Sequence, residues 1–150
     1  MKLDIREKAV CSLSSSERVS LKRLTLNEDS YLTAILKDNP VHAQCWLASL
    51  EEKIVGWSVL RWFQPRVKAK HDSFVSIYVD QEFRRRGIGK SLIESTLIFA
   101  EGSDLCPIFY GLSQMQKTFY HAVSIADNNL TIRDFPRTYW EYHRFVKGVL

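Results

Sequence analysis

The most constraining stretch of this chain is a junction. Phe74, Val75, Ile77 and Val79 interleave with Ser76 and Tyr78, and that alternation predicts a strand over residues 73–79. The strand runs into Asp80-Gln81-Glu82-Phe83 and then into Arg84-Arg85-Arg86-Gly87-Ile88-Gly89-Lys90. Beyond Gly89, Leu92, Ile93, Thr96, Leu97 and Ala100 fall at helical spacing, and Gly102 closes the helix.

The remaining elements arrange themselves around this junction. Residues 3–10 read as a first strand, and the serine-rich patch at 12–16 as a loop or a helix start. From 16 to 38 the leucines and Ile35 recur at three- and four-residue spacings, so the segment is predicted helical, in two parts. Asn27 caps the second part and Pro40 ends it. A hairpin follows: strand 45–50, turn Glu51-Glu52-Lys53, and return strand 54–63, with Gly56 marking a bulge. Residues 64–71 read as a polar loop, 107–112 as a short strand, and 114–125 as a helix. Residues 138–146 suit a final strand or a helix. This order describes one α/β or α+β domain spanning residues 1–150, a length that suits a single core.

The junction also has a chemistry. A helix N-terminus presents unpaired N–H groups and a partial positive charge, which together attract phosphate. Gly87 and Gly89 let the backbone approach an anion closely, and the arginines and Lys90 concentrate positive charge beside it. The alternative is a solvated turn with an incidental basic run. The spacing of a P-loop is absent, and the third glycine of a dinucleotide fingerprint would fall at Leu92.

Bulk properties narrow the setting. A net charge of +4 suits an anionic ligand without demanding nucleic acid. Cys11, Cys45 and Cys106 are odd in number and scattered, which argues against a disulfide framework or a zinc site and for a reducing compartment. The first eight residues lack the apolar run of a signal peptide, and no stretch reaches the ~20 apolar residues of a membrane span, so a cytoplasmic protein is expected. His42, His121 and His143 have no metal-ligand spacing, and no metal site is expected.

The segment Arg84-Arg85-Arg86-Gly87-Ile88-Gly89 resembles the Q/R-x-x-G-x-G/A acetyl-CoA loop of the GNAT N-acetyltransferases, and the likeness extends from Ile77 to Ile93. The element order is also similar. The resemblance implies a central mixed, mostly antiparallel sheet flanked by helices, with acetyl-CoA as cosubstrate. It implies that the loop from Arg84 binds the cofactor's pyrophosphate, with Arg84 among the cofactor-binding residues and the N–H groups of Arg85, Arg86, Gly87, Ile88, Gly89 and Lys90 holding the phosphates. Ile77, Tyr78 and Val79 would pair with the pantetheine arm, and an N–H near Val79 would polarise the thioester carbonyl. A pattern N-x-x-A-x-x-L/F-Y on the helix after the fifth strand matches residues 113–120 in part. Ser113 stands for its Asn, Gln116 for its Ala, and Tyr120 for the general acid. For the general base, Asp72 or His71 flanks the expected position, Ser73, where some members carry Glu.

The implied reaction is transfer of an acetyl group to an amine of a small molecule or a protein by direct attack. Trp46, Trp57, Trp62, Trp140, Tyr139 and Tyr142 are expected in the core or a dimer interface, with some lining an acceptor pocket. Two rival readings remain open. One is a tRNA-acetylating toxin, which the basic balance permits. The other is a GNAT-like binding module without catalysis, which the imperfect match around Tyr120 favours.

Overall fold

The computed structural model describes residues 2–25, 30–62, 71–111 and 131–134. Along them run β1 (Leu3–Ala9), α1 (Ser15–Thr25), α2 (Ser30–Asp38), β2 (Ala43–Leu50), β3 (Lys53–Trp62), β4 (His71–Val79), α3 (Ile88–Gly102), β5 (Leu105–Gly111) and β6 (Thr131–Asp134). The strands form one sheet in the order β1-β2-β3-β4-β5-β6. β1 to β4 are antiparallel neighbours, whereas β4–β5 and β5–β6 are parallel. This is the mixed, mostly antiparallel sheet that the resemblance implied.

Both faces of the sheet are covered, so its central strands are buried on both sides rather than alternating with solvent. On the α1–α2 face Leu21, Leu32 and Ile35 pack with Leu47, Trp57, Val59 and Phe74. On the α3 face Ile88, Leu92 and Ile93 pack with Ala48, Val55, Leu60, Val75 and Ile77. Burying one such aliphatic side chain contributes about 1.5–3 kcal/mol, so the two layers are the main stabilising term.

The helical run at 16–38 is two helices. α1 starts at Ser15, behind a capping box formed by Ser14 and Glu17. Arg18 ties the two helices together: its guanidinium donates to the carbonyls of Val10, Leu13 and Leu36 and to Asn39 Oδ1. Asn27, the expected cap of α2, lies outside the described residues. So do the helix read at 114–125 and the element read at 138–146.

The hairpin is tighter than its sequence suggested. Leu50 pairs with Lys53, so the turn is Glu51-Glu52 alone, with φ of 50° and 68°. Two successive positive φ values are the mirror-image turn whose twist matches the flanking strands. The bulge expected at Gly56 lies next to it: Ala48 faces Gly56 and Ser49 faces Ile54, which leaves Val55 as the extra residue. At a bulge, two consecutive residues turn toward one face. Val55 fills the α3-side core, and a Cβ on Gly56 would lie 3.0 Å from the Tyr78 carbonyl oxygen and 3.4 Å from Leu92 Cδ1.

Three boundaries differ from expectation. β4 begins at His71, which places His71 and Asp72 in the strand rather than the preceding loop. β5 begins at Leu105 and carries Pro107 within it. Gly102 is the last residue of α3, but the left-handed residue beyond it is Asp104, with φ 57°.

Candidate functional site

β5 pairs with β4 from His71↔Leu105 to Val75↔Phe109, and β4 runs on to Val79 alongside β3. Beyond Val75 the described sheet therefore opens between two parallel strands. Along a strand, the N–H and C=O of successive residues point to opposite edges. Asp80 N–H points to β3, where it donates to the Val55 carbonyl at 2.8 Å. The N–H and C=O of Val79 consequently face the opening.

The chain leaves β4 through a short 3-10 turn, Gln81–Phe83, capped by Asp80, whose Oδ1 accepts from Glu82 N–H at 3.3 Å. The loop then alternates hand. Arg85 has φ 63° and Gly87 has φ 81°, so successive N–H groups curl into a concave array of the kind that holds anions. Gly87 caps α3, and Ser91 N–H donates back to its carbonyl at 3.0 Å. Among the described residues, the N–H groups of Arg85 to Lys90 donate to no backbone acceptor.

The three arginines do different things. Arg85 and Arg86 are exposed, with Arg86 Cζ 5.3 Å from the Phe83 ring centroid and Lys53 Nζ 5.7 Å from the same ring. Arg84 is half-buried; its Nε donates to the Val79 carbonyl at 2.9 Å, and its guanidinium lies 5.5 Å from the Tyr78 ring centroid. Tyr78 in turn stacks on Trp57 at 6.2 Å and 16°. On the β1–β2 side of the loop, Leu3, Leu50, Arg86 and Ile88 line a cavity of about 240 Å³.

The expected site residues thus divide. Ile77, Tyr78, Val79 and Arg84 to Lys90 converge on one end of the sheet, at the opening and the start of α3. Asp72 sits near the beginning of β4, opposite Cys106, about seven residues from Val79 along the strand. Ser113 and Tyr120 lie outside the described residues. The sequence reading missed Val55 as the acceptor that anchors Asp80, and Arg84 as a donor to Val79. Gly56 was the available signal, since a glycine inside a strand marks close backbone approach.

Other reactive groups lie elsewhere. Cys45 is buried, its thiol donates to the Lys8 carbonyl at 3.3 Å, and burial chiefly, helped by the Glu17 charge, pushes its pKa up to about 12. It is no nucleophile at neutral pH. Among the described residues no group of three or more His, Cys, Asp or Glu is placed to hold a metal ion, and no helix is long and apolar enough to cross a membrane.

The model of the acetyltransferase (GNAT) family matches residues 8–111, from β1 through the last residue of β5. The chain belongs to the GNAT family. This GNAT chain is 39% identical over 56 residues to human N-acetyltransferase 8, a match covering 37% of the chain and 25% of that protein. A ribosomal-protein-alanine N-acetyltransferase from Brucella melitensis biovar Abortus 2308 has a similar structure, with TM-score 0.62 and 18% identity over 81% of this chain and 91% of that one. An aminoglycoside N-acetyltransferase in complex with CoA superposes with TM-score 0.57 and 20% identity over 83% of this chain and 86% of that one. At such identities the two structures establish a shared fold.

Proposed function

We propose that this GNAT chain is an acyl-CoA-dependent N-acetyltransferase, formed as one domain over residues 1–150, that moves an acetyl group from acetyl-CoA to an amine. The observation that carries the reading is the coincidence of two features at one end of the sheet. β4 loses β5 as a partner after Val75 and ends four residues later at Val79, from where a short 3-10 turn leads into the concave loop at the start of α3. An extended pantetheine arm fits the first feature as an added strand. A pyrophosphate fits the second, on the N–H groups of Arg85 to Lys90 with Arg85 and Arg86 at the rim.

In this reading the Val79 N–H donates to the thioester carbonyl oxygen and stabilises the negative charge that develops there. The neutral amine attacks the carbonyl carbon, the C–S bond breaks, and coenzyme A leaves as a thiolate. Tyr120 protonates that thiolate, and the amine proton passes to water. Asp72, roughly 23 Å from Val79 along β4, is out of reach of the attacking amine. Ser113 belongs to the cofactor side. The acceptor is an amine of a small molecule or a protein, the two kinds represented by the aminoglycoside and ribosomal-protein acetyltransferases of similar fold.

Calorimetric titration with acetyl-CoA tests the reading, followed by coenzyme A release across a panel of small amines and peptide N-termini. Binding with release on at least one amine is expected. Absence of acetyl-CoA binding would overturn the reading. Binding with no release on any amine would replace it with a GNAT-like binding module.

A further inference from the structure

Of the three consecutive arginines, Arg84 alone is half-buried, whereas Arg85 and Arg86 are exposed. The Arg84 Nε–H donates to the Val79 carbonyl at 2.9 Å, and the guanidinium lies 5.5 Å from the centroid of the Tyr78 ring, which stacks on Trp57. The accepting carbonyl belongs to the Val79–Asp80 peptide, whose N–H donates to the Val55 carbonyl at 2.8 Å. Both polar ends of one peptide plane are therefore held, one by the loop and the other by the bulge. The preceding peptide shares the Val79 Cα and carries the N–H that faces the opening between β4 and β5. With the Val79–Asp80 plane and the Val79 Cα fixed, the preceding peptide keeps only the φ and ψ of Val79 as freedom.

We infer that Arg84 is a positioning residue that sets the thioester-receiving end of β4, rather than a phosphate ligand. The charge at the phosphates comes instead from Arg85, Arg86 and Lys90. This rests on the acyl-CoA reading above. The role calls for an N–H donor at a set reach from Cα, not for a positive charge. Glutamine meets that requirement, because its amide nitrogen stands the same number of bonds from Cα as arginine Nε.

The test compares wild type, R84M and R84Q by calorimetry with two probes. One is acetyl-CoA. The other is 3′-phosphoadenosine 5′-diphosphate, which carries the phosphates without the thioester arm. Affinity for the nucleotide is expected to stay within about twofold in all three proteins. Affinity for acetyl-CoA is expected to fall about five- to tenfold in R84M and to return to within about twofold of wild type in R84Q. Loss of nucleotide affinity in both variants would overturn the inference and make Arg84 a phosphate ligand. Unchanged acetyl-CoA affinity in R84M would overturn it as well. Should R84M fail to fold, R84Q decides alone: retained affinity for both probes supports the inference, and a fall for the nucleotide overturns it. A wild-type chain that binds neither probe would remove the acyl-CoA reading itself, a result distinct from either variant pattern.

Discussion

Ser14 and Glu17 cap each other: Ser14 Oγ accepts from Glu17 N–H at 3.1 Å, and Glu17 Oε1 accepts from Ser14 N–H at 2.9 Å. The same carboxylate accepts from Lys8 Nζ at 2.9 Å and lies 3.5 Å from Arg6 Nη2, so it also fastens α1 to β1. Burial pushes the Glu17 pKa up, but the Ser14 N–H, the Lys8 ammonium and the Ser14 hydroxyl together outweigh it and hold it below 4.5. A carboxyl with a depressed folded pKa stabilises the fold above its unfolded value and loses that contribution as pH falls through the folded one. E17Q is therefore expected to be less stable than wild type by about 1–2 kcal/mol at pH 7. The gap should close as the pH drops below 4.5, read from urea midpoints at several pH values. A gap independent of pH would mean that the charge contributes nothing.

Two serines on opposite faces of the sheet should respond in opposite ways. Ser58 Oγ is 2.8 Å from Thr96 Oγ1 in the α3-side core, whereas buried Ser76 Oγ has no hydrogen-bond partner among the described residues. S58A is expected to cost about 1 kcal/mol, and S76A to be neutral or stabilising by up to about 1 kcal/mol. Urea midpoints with unchanged slopes measure both. A destabilised S76A would show that its hydroxyl has a partner in solution.

Gly56 and Gly87 should fail for different reasons. A Cβ at Gly87 meets nothing within 4 Å, so G87A costs only the left-handed backbone, about 1–2 kcal/mol. A Cβ at Gly56 meets the Tyr78 carbonyl oxygen at 3.0 Å, and overpacking against a backbone atom costs about 1–3 kcal/mol. Under the proposed function, G87A weakens both the nucleotide and acetyl-CoA, while G56A weakens acetyl-CoA more. Thermal unfolding and titration of the two variants separate these effects.

Exposed charge at the loop should make coenzyme binding sensitive to salt. Raising ionic strength from about 0.05 to 0.5 M shortens the screening length to less than half and should weaken acetyl-CoA binding. R86Q should reduce both the affinity and its dependence on salt. Salt-independent binding would place the phosphates away from Arg85 and Arg86.

Much of this architecture was readable because it rests on local rules. Period-two alternation marks residues 73–79, and a helical stripe marks α3. Gly56 announces a close backbone approach. What escaped depends on partners distant in sequence. The Glu51-Glu52 turn lacks the Asn or Gly usual at positive φ, so its two-residue length was hidden. His71 and Asp72 look like loop residues, and only pairing with Leu105 and Cys106 places them in a strand. β6, Thr131–Asp134, is too short to show a period. At the site, the glycines and arginines named the loop, yet nothing in a run of three arginines distinguishes Arg84, whose role depends on where the Val79 carbonyl points.

The surplus residue in β3 acts as a measuring device. Val55 lies two residues beyond the Leu50↔Lys53 pair that closes the hairpin, and its carbonyl holds the N–H of Asp80. The end of β4 is thus located by counting from the hairpin tip, as a stop on a ruler is counted from its end. Lengthening the tip leaves that count intact, whereas deleting one residue between Lys53 and Gly56 draws the stop back by one notch and carries Val79 with it. Insertions at the tip and deletions behind it, so close in sequence, are therefore unequal changes to this molecule.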